Sequence, residues 1–501
     1  MNAPQRRPPT SSPRLSRRAF LRSSAALAFA GAASSCAGRA LRGGPAAAPG
    51  PAIAPLGPGS KYRPRLMAAF VRRKESYGIL WPGDIYDGRA ALERYRREIL
   101  AEAERLGVRV DLRPEPVHSL AEAEAWVEEA KAARPDGLLA VLLDRQQHAW
   151  PTAVKAADSK IPTVVFAPVG AAFTTNTASL ARRDGVFVAS TDDFREAAFG
   201  MKMVRAAAKL REMRFVVLQG NERRDGAIEP FGTKLRFVPA REFLEEYRRT
   251  PLTDEIRAMA EAYVRGATGL AGPTAEDVQN GVRSFVVART FLEREEGDGI
   301  TMDCLGALGK TEVSLPCIAW SRMLDCGIPA ACEADLGAAV THALVQLLFD
   351  RPGFQQDPVP ETARECLIGA HCTCPTRLAG FSEPPEPYDI SHHHGNRDAV
   401  PRPRWRVGQR ITVADVVFSS RDVSFPQKAD APPELLISTG TVVENVSVPP
   451  SGGCVVSVMA KLDGSRELLD FPGFHQLFFY GDYKKELVAY ARLFGLRPVV
   501  L

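Results

Sequence analysis

Short apolar runs alternate with amphipathic segments through the first third of this chain, and this alternation constrains the fold most. The runs that predict strands lie at residues 66–71, 108–112, 137–143 and 162–167. Helices are predicted between them at residues 90–106, after the capping sequence Ser119-Leu120-Ala121-Glu122, and after Trp150. Strands and helices that alternate at this spacing form a parallel sheet covered by helices on both faces. We therefore expect an N-terminal α/β domain over residues 61–172, with ligands at the carboxyl ends of its strands.

A second series of the same kind predicts a central α/β domain over residues 173–355. Its strands are expected at residues 185–189, 215–218 and 299–303, with helices between them. From about residue 403 the pattern changes to short strands separated by turn residues, followed by a final helix at 483–494. The predicted fold class is therefore α/β: two doubly wound parallel-sheet domains followed by a C-terminal β-rich domain over residues 356–501.

The N-terminal segment concentrates positive charge. Eight of the 64 basic residues lie in the first 42, which contain no Asp or Glu. Ser16-Arg17-Arg18-Ala19-Phe20-Leu21, followed by a weakly apolar stretch at 23–33, resembles a twin-arginine export signal. This resemblance implies passage through the twin-arginine translocase to the periplasm, with residues 1–42 as signal and the Gly- and Pro-rich residues 43–60 as a flexible linker. Cys36 in Ala33-Ser34-Ser35-Cys36 is a candidate lipidation site, and simple Ala-x-Ala cleavage is the alternative.

Charge and motifs exclude several classes of protein. Residues 43–501 carry 56 basic against 59 acidic side chains, so the chain has no electrostatic signature of nucleic-acid binding. It contains neither a G-x-G-x-x-G nor a Walker loop, which argues against a nucleotide-cofactor oxidoreductase. The cysteines after the signal form no C-x-x-C pair and most sit among apolar residues. They are expected to be buried thiols rather than a disulfide scaffold.

Two acidic residues stand out just before a strongly apolar predicted helix at residues 336–349. The segment that leads into this helix, Cys332-Glu333-Ala334-Asp335, is expected to be extended, so that Glu333 and Asp335, two positions apart, can point the same way. The structural alternative is that Asp335 is the N-cap of the helix and that Glu333 complements its dipole.

Two histidines occur at the ends of apolar strands. His371 is expected to end one strand and His475 to begin another. Each could be an ordinary core residue, but two imidazoles together with an upstream acidic pair form a plausible metal-ligand set. Such mixed oxygen and nitrogen ligands suit Mn²⁺ or another divalent cation.

Several motifs in the second half of the chain resemble one enzyme family. They are Gly327 to Asp335 (GIPAACEAD), Ile368 to Pro375 (IGAHCTCP), Gly380 to Pro385 (GFSEPP), and His475-Gln476 with Tyr480 to Glu486 (YGDYKKE). The pattern is similar to the L-fucose/L-arabinose isomerase family, and to its fucose isomerase-like branch in particular. The resemblance is strong over residues 299–501 and only architectural over 61–298. It implies a barrel-like C-terminal domain, a Mn²⁺-dependent aldose–ketose isomerase and a homo-oligomer.

The resemblance also implies roles for single residues. Glu333 corresponds to an acidic metal ligand, with Asp335 as an alternative or second carboxylate, and His371 and His475 correspond to ligand histidines. Asp357 falls near a second ligand carboxylate of the family, although an Asp-Pro loop turn is equally compatible with the sequence. His392, in Ser391-His392-His393-His394, is a candidate substrate contact, and a solvated loop is the alternative.

Aldose–ketose interconversion through an enediol needs a cation to polarise the sugar carbonyl and a carboxylate to move the proton between C1 and C2. Either Glu333 or Asp335 is the expected base. A monosaccharide is the expected ligand, and the alternative function is an exported, non-catalytic sugar-binding protein on the same scaffold.

Overall fold

The computed structural model describes residues 53, 56–74, 78–80, 85–145, 148–393, 398–417, 432–446, 454–464, 467–472 and 474–501. The predicted twin-arginine signal, the Cys36 lipidation site and most of the predicted linker lie outside these residues. Within them, no helix combines the length and the apolar character that crossing a bilayer requires.

The strands of the described residues are β1 (Arg65–Val71), β2 (Gly78–Leu80), β3 (Ile85–Asp87), β4 (Arg109–Leu112), β5 (Gly137–Leu142), β6 (Thr163–Ala167), β7 (Val186–Ser190), β8 (Arg214–Leu218), β9 (Arg224–Ile228), β10 (Thr233–Val238), β11 (Leu270–Ala271), β12 (Gly299–Met302), β13 (Ala330–Cys332), β14 (Phe354–Glu361), β15 (Cys366–His371), β16 (Tyr388–Ser391), β17 (Val400–Pro403), β18 (Arg410–Val417), β19 (Glu434–Asn445), β20 (Val456–Leu462), β21 (Gln476–Tyr480) and β22 (Arg497–Val500).

The α-helices of the same residues are α1 (Pro58–Lys61), α2 (Gly88–Leu106), α3 (Leu120–Ala133), α4 (Ala149–Asp158), α5 (Thr174–Thr177), α6 (Phe194–Glu212), α7 (Ala240–Arg249), α8 (Asp254–Gly266), α9 (Ala275–Arg294), α10 (Cys304–Leu308), α11 (Cys317–Asp325), α12 (Leu336–Phe349) and α13 (Lys484–Phe494).

The first sheet is parallel throughout, with the strand order β4-β1-β5-β6-β7. Both of its faces are buried. In β1, Leu66, Ala68 and Phe70 belong to one hydrophobic cluster, and the alternating residues Met67 and Ala69 belong to another on the opposite face. Burial on both faces explains why its inner strands β1, β5 and β6 are continuous apolar runs, whereas the edge strand β4 (RVDL) is not.

The second sheet has the order β13-β12-β8-β10-β9 and is parallel except for its edge strand β9. The strand expected at 185–189 does not belong to this second series, because β7 pairs with β6 in the first sheet. An apolar run does not encode which sheet it joins, since pairing depends on how the connections cross in space. The predicted domain boundaries at 172/173 and 355/356 stay predictions.

The end of the predicted flexible linker is folded. α1 directs its amino end at the buried carboxylate of Asp298, which accepts hydrogen bonds from the backbone N–H of Gly59 at 3.0 Å and of Ser60 at 2.7 Å. A helix amino terminus favours a carboxylate because its first N–H groups have no partner within the helix. The Gly- and Pro-rich composition predicted a flexible segment. In the structure, hydrogen bonds to the Asp298 carboxylate hold its last residues in place.

The C-terminal region forms a closed, six-stranded barrel, in agreement with the predicted barrel-like domain. The order β18-β21-β14-β15-β20-β19 closes because β19 pairs back with β18, and all of these pairings are antiparallel. β22 adds to β19 in parallel. The described residues also form a small third sheet, β11-β16-β17, and a two-stranded sheet, β2-β3.

Helix α12 lies between the second sheet and the barrel. It packs against β12 and β13 on the sheet side and against β18 and β21 of the barrel. Twelve of its 14 residues are buried, which matches a helix that is apolar all round. The Thr341 hydroxyl accepts a hydrogen bond from the backbone N–H of Val416 at 2.9 Å and so ties the helix to the barrel. This packing fixes where the chain enters the barrel from the second sheet.

We expect the free energy of unfolding to fall at acidic pH because of His342 on α12. Its side chain is fully buried, and burial lowers its pKa to about 3. An unfolded histidine has a pKa of about 6.5. Below pH 6.5 the unfolded chain therefore binds a proton at His342, whereas the native chain does not. The His342 contribution to the free energy of unfolding is therefore expected to fall by about 2 kcal/mol between pH 7 and pH 5.

Urea denaturation at these two pH values measures the effect. His342→Gln should lose about 2 kcal/mol less than the wild type on acidification, because Gln takes up no proton. His118→Gln, at a partly buried histidine between β4 and α3, is the control. An unchanged pH slope in His342→Gln would contradict the prediction.

Candidate metal centre

Three side chains from distant parts of the sequence meet where the second sheet joins the barrel. Glu333 follows β13, His371 is the last residue of β15, and His475 directly precedes β21. One ligand atom of each lies within 4.8 Å of the other two. The structure thus brings together one predicted carboxylate and both predicted imidazoles.

The Glu333 carboxylate lies between the two imidazoles. Its Oε1 is 3.8 Å from Nε2 of His371, and its Oε2 is 3.8 Å from Nε2 of His475. Both histidine side chains are almost fully buried, whereas 31% of the Glu333 side chain is exposed. The carboxylate therefore faces both the imidazoles and a region that solvent or a ligand can reach.

Backbone conformation places Glu333 in this position. Glu333 has φ of 62° and Ala334 has φ of 54°, so two successive residues with side chains adopt the left-handed region. Such conformations cost about 1–3 kcal/mol each and concentrate at functional sites. The extended segment expected from the sequence is wrong here, because the chain turns sharply between β13 and α12.

Asp335 lies behind His475 rather than beside Glu333. Its Oδ1 caps α12 by accepting the backbone N–H of Ala338 at 2.9 Å, and its Oδ2 is 2.7 Å from Nδ1 of His475. Since both oxygens are engaged, the structure gives this carboxylate the cap role that the sequence left as an alternative, together with a contact to the histidine. It is placed to position His475 rather than to act as ligand or base.

The contact with Asp335 also selects the tautomer of His475. When Nδ1–H donates to the carboxylate, the lone pair of the neutral imidazole is on Nε2, which points toward Glu333. Metal-ligating histidines usually donate their other ring N–H to a carboxylate or carbonyl in this way. Asp335 and His475 therefore have the arrangement of an outer-shell carboxylate and a ligand.

The two imidazole nitrogens that face Glu333 are the observation that points to a cation. Among the residues that the structure describes, neither Nε2 of His371 nor Nε2 of His475 has a hydrogen-bond partner, and both are buried. A buried polar atom without a partner costs about 1–3 kcal/mol. Oxygen and nitrogen ligands at 2.0–2.2 Å from one cation lie about 3.0–3.4 Å apart, so small side-chain shifts would allow a shared ion.

Asp357 brings a second carboxylate to the same place. Its Oδ1 is 3.4 Å from Nε2 of His475, and 44% of its side chain is exposed. The loop turn that the sequence left open at Asp357-Pro358 is wrong, since both residues belong to β14 and pair with Ala370 and Gly369 of β15. This register puts Asp357 beside the end of the strand that carries His371.

His371 also contacts sulfur. Its Nδ1 is 3.5 Å from Sγ of Cys372. Burial alone would lower the pKa of His371, but the negative charges of Cys372, Asp357 and Glu333 raise it to about 9. The pocket therefore favours a positive charge at this position, which a bound cation would supply in place of the proton.

His392 lies elsewhere, next to the small third sheet. Its Nδ1 is 3.1 Å from the carbonyl oxygen of Asp398, and its ring packs against Gly272. The structure does not bring it into contact with Glu333, His371 or His475. A role in substrate contact stays a prediction.

One positioning residue was not singled out from the sequence. Gln355 is buried at the start of β14, and its side chain accepts the backbone N–H of Cys332 at 2.9 Å and donates to the Cys332 carbonyl at 3.4 Å. It thereby joins the barrel to the last residue of β13, directly before Glu333. The available signal was the pair of adjacent amides Gln355-Gln356 directly after the apolar Phe354.

Comparisons with known proteins add little to this geometry. No family model and no curated protein matches the chain. One similar solved structure is an ABC-transporter periplasmic solute-binding protein of Actinobacillus succinogenes 130z with bound D-allose, at 12% identity and a TM-score of 0.19, covering 57% of this chain and 92% of that one. A second, a solute-binding protein of Burkholderia multivorans with an unknown ligand, has 14% identity and a TM-score of 0.18 and covers 58% and 95%.

A sugar-binding protein of a Bacillus halodurans sugar ABC transporter has 17% identity and a TM-score of 0.17, covering 60% of this chain and 92% of that one. TM-scores this low carry no argument about the fold or the function of this chain. What the protein does has to be inferred from the site itself.

Proposed function

We propose that Glu333, Asp357, His371 and His475 hold one divalent cation, Mn²⁺ in the first instance, and bind a monosaccharide beside it. The finer proposal is that the protein interconverts an open-chain aldose and its ketose, as the resemblance to the L-fucose/L-arabinose isomerase family implies. The single observation that carries the proposal is the pair of buried, partnerless Nε2 atoms, each 3.8 Å from the same carboxylate.

The donor set favours a hard to borderline cation. Carboxylate oxygens suit Mn²⁺ and Mg²⁺, and imidazole extends the choice to Fe²⁺, Co²⁺ and Zn²⁺. When bound, such a cation polarises the sugar carbonyl and stabilises the negative charge that develops on its oxygen. Two histidines and two carboxylates leave positions around a six-coordinate ion for sugar oxygens.

The exposed carboxylates are the groups that can reach a substrate. Glu333 and Asp357 keep 31% and 44% of their side chains exposed, whereas Asp335 keeps 8%. A carboxylate held beside C1 and C2 of the open-chain sugar takes the proton from one carbon and returns it to the other. Glu333 is the better placed base of the two that the sequence proposed, since the oxygens of Asp335 are already engaged.

In this proposal the two imidazoles hold the cation and take no part in the proton transfer. His371 and His475 lie at barrel strand ends and are almost fully buried, so their rings have little freedom to approach different substrate atoms. Fixed ligands of this kind keep the carbonyl and the base in one geometry, which lowers the entropic cost of the proton transfer.

Metal analysis combined with an aldose panel tests the proposal. Wild-type protein reconstituted with Mn²⁺ is expected to retain one ion per chain and to form ketose from at least one aldose. Glu333→Gln should weaken Mn²⁺ binding by at least tenfold and abolish ketose formation, while the unfolding of the metal-free protein changes by less than about 1 kcal/mol.

Glu361→Gln is the matched control, because Glu361 ends the same strand as Asp357 but hydrogen-bonds to the backbone N–H of Ala363. It should bind Mn²⁺ and turn over sugar like the wild type. Retention of Mn²⁺ and of a sugar without any ketose would favour the alternative, non-catalytic sugar binding. Failure to retain a divalent cation would contradict the whole assignment.

The position of Asp335 gives a separate prediction. Asp335→Asn should weaken Mn²⁺ binding about 10- to 100-fold because the neutral amide holds the His475 N–H less strongly. It should cost little stability, since Asn is as good a helix N-cap as Asp. Asp335→Ala should add about 1 kcal/mol of destabilisation from the lost cap.

Calorimetric titration with Mn²⁺ and urea denaturation of the metal-free variants separate the two effects. If Asp335→Asn binds Mn²⁺ with wild-type affinity, Asp335 does not position His475 for a cation.

A further inference from the structure

A second group of metal-ligating side chains lies on the other side of His371. All cysteines of the described residues are free, and four of them are buried near one another: Cys304, Cys317, Cys332 and Cys372. They come from α10, from α11, from β13 and from the residue after β15. The starts of two helices and the ends of two strands thus bring four thiols to one interior region, at residues that the isomerase proposal does not use.

Two triads of ligand atoms occur in this region, and Cys372 belongs to both. In the first, Sγ of Cys317, Sγ of Cys372 and a ring nitrogen of His393 all lie within 4.8 Å of one another. In the second, the same holds for Cys332, Cys372 and His371. All five residues are buried, so neither triad is a chance grouping of surface side chains.

The second triad has competing interactions. The Cys332 thiol donates to the hydroxyl of Thr373 at 3.3 Å, and Nε2 of His371 faces Glu333 in the candidate metal centre. The first triad shares no residue with that centre. Cys372 of the first triad also lies 3.5 Å from Nδ1 of His371, but an ion on the first triad would take no ligand from the carboxylate–imidazole centre. The first triad is therefore the better set for an ion of its own.

We propose that Cys317, Cys372 and His393 bind a thiophilic cation such as Zn²⁺ at a site distinct from the carboxylate–imidazole centre. Thiolate and imidazole ligands select zinc and similar soft to borderline ions rather than Mn²⁺ or Mg²⁺. Two cysteines and one histidine are a known zinc ligand set with a fourth position left for water or another group. Both cysteines bind as thiolates, so the ion neutralises the negative charge of two sulfur atoms in the interior.

The distances fit this chemistry after small rotations. Sulfur ligands at about 2.3 Å from a tetrahedral zinc ion lie about 3.8 Å apart. The triad already lies within 4.8 Å, so closure needs shifts of under about 1 Å for each side chain. A bound ion would cross-link the start of α11, the segment after β15 and the segment after β16, and so would join the small third sheet to the barrel.

Cobalt titration of the reduced, metal-free full-length protein tests the site. Tetrahedral Co²⁺ bound to thiolate gives a sulfur-to-metal charge-transfer band that oxygen and nitrogen ligands do not give. One equivalent is expected to produce the band, and Zn²⁺ is expected to bleach it. Cys317→Ser and Cys372→Ser should each weaken binding by at least tenfold.

Cys374→Ser is the matched control, because Cys374 is also buried and free but its thiol donates to the Pro375 carbonyl. It should keep the band. Glu333→Gln should also keep the charge-transfer band. The experiment therefore tests the thiolate site independently of the proposed isomerase site. Absence of the band in the wild type, its full retention in Cys317→Ser, or its loss in Cys374→Ser would overturn the proposal.

A measurement on the wild type alone decides the matter if the serine variants do not fold. Zn²⁺ should slow alkylation of Cys317 and Cys372 at least tenfold, measured by peptide mass spectrometry, with a smaller effect on Cys374 and Cys366. Equal rates with and without Zn²⁺, or equal slowing of every cysteine, would overturn the proposal.

Discussion

The candidate metal centre depends on two left-handed residues between β13 and α12. An extended chain would have placed Glu333 and Asp335 on the same side. The turn at Glu333 and Ala334 separates them, so that one carboxylate faces the imidazoles and the other caps the helix and holds His475. Hydrogen bonds from the backbone N–H of Ala334 to Met302, and of Asp335 to Cys332, offset part of the strain. One local conformation thus assigns different tasks to two acids that are neighbours in sequence.

Barrel closure supplies the other half of the centre. β14 pairs with β21 through its first half and with β15 through its second half, so Asp357 in its middle lies beside the end of β15 at His371 and the start of β21 at His475. Asp357 pairs with Ala370, and Gln356 pairs with Gln476. These pairings fix the positions of Asp357, His371 and His475 relative to one another along the strands. Because a shift of one residue would turn each side chain to the opposite face, the register of this sheet is as important to the site as the ligands themselves. Gln355 also ties β14 to β13, because its side chain hydrogen-bonds to the backbone of Cys332.

These two constraints explain what the sequence could and could not predict. The bounds of α12, the strand that ends at His371 and the strand that begins after His475 follow from local apolar patterns, which report burial directly. The membership of β7 in the first sheet does not, because pairing between strands is a property of the whole chain. The left-handed turn at Glu333 was not predictable either, since neither Glu333 nor Ala334 is a residue type that favours this region. His392 shows the same limit: a motif match gives the residue but not its distance from the site.

The position of His371 shows how the interior separates two kinds of ligand chemistry. Its Nε2 faces Glu333, and its Nδ1 lies 3.5 Å from the sulfur of Cys372. A carboxylate therefore lies on one side of the ring and a sulfur donor on the other. Thiolates bind zinc and copper far more strongly than manganese, so a site open to them would be taken by the wrong ion. Under the function we propose, the buried imidazole between the two groups would keep the thiols out of the carboxylate centre, and that separation would let a weakly binding cation such as Mn²⁺ compete there.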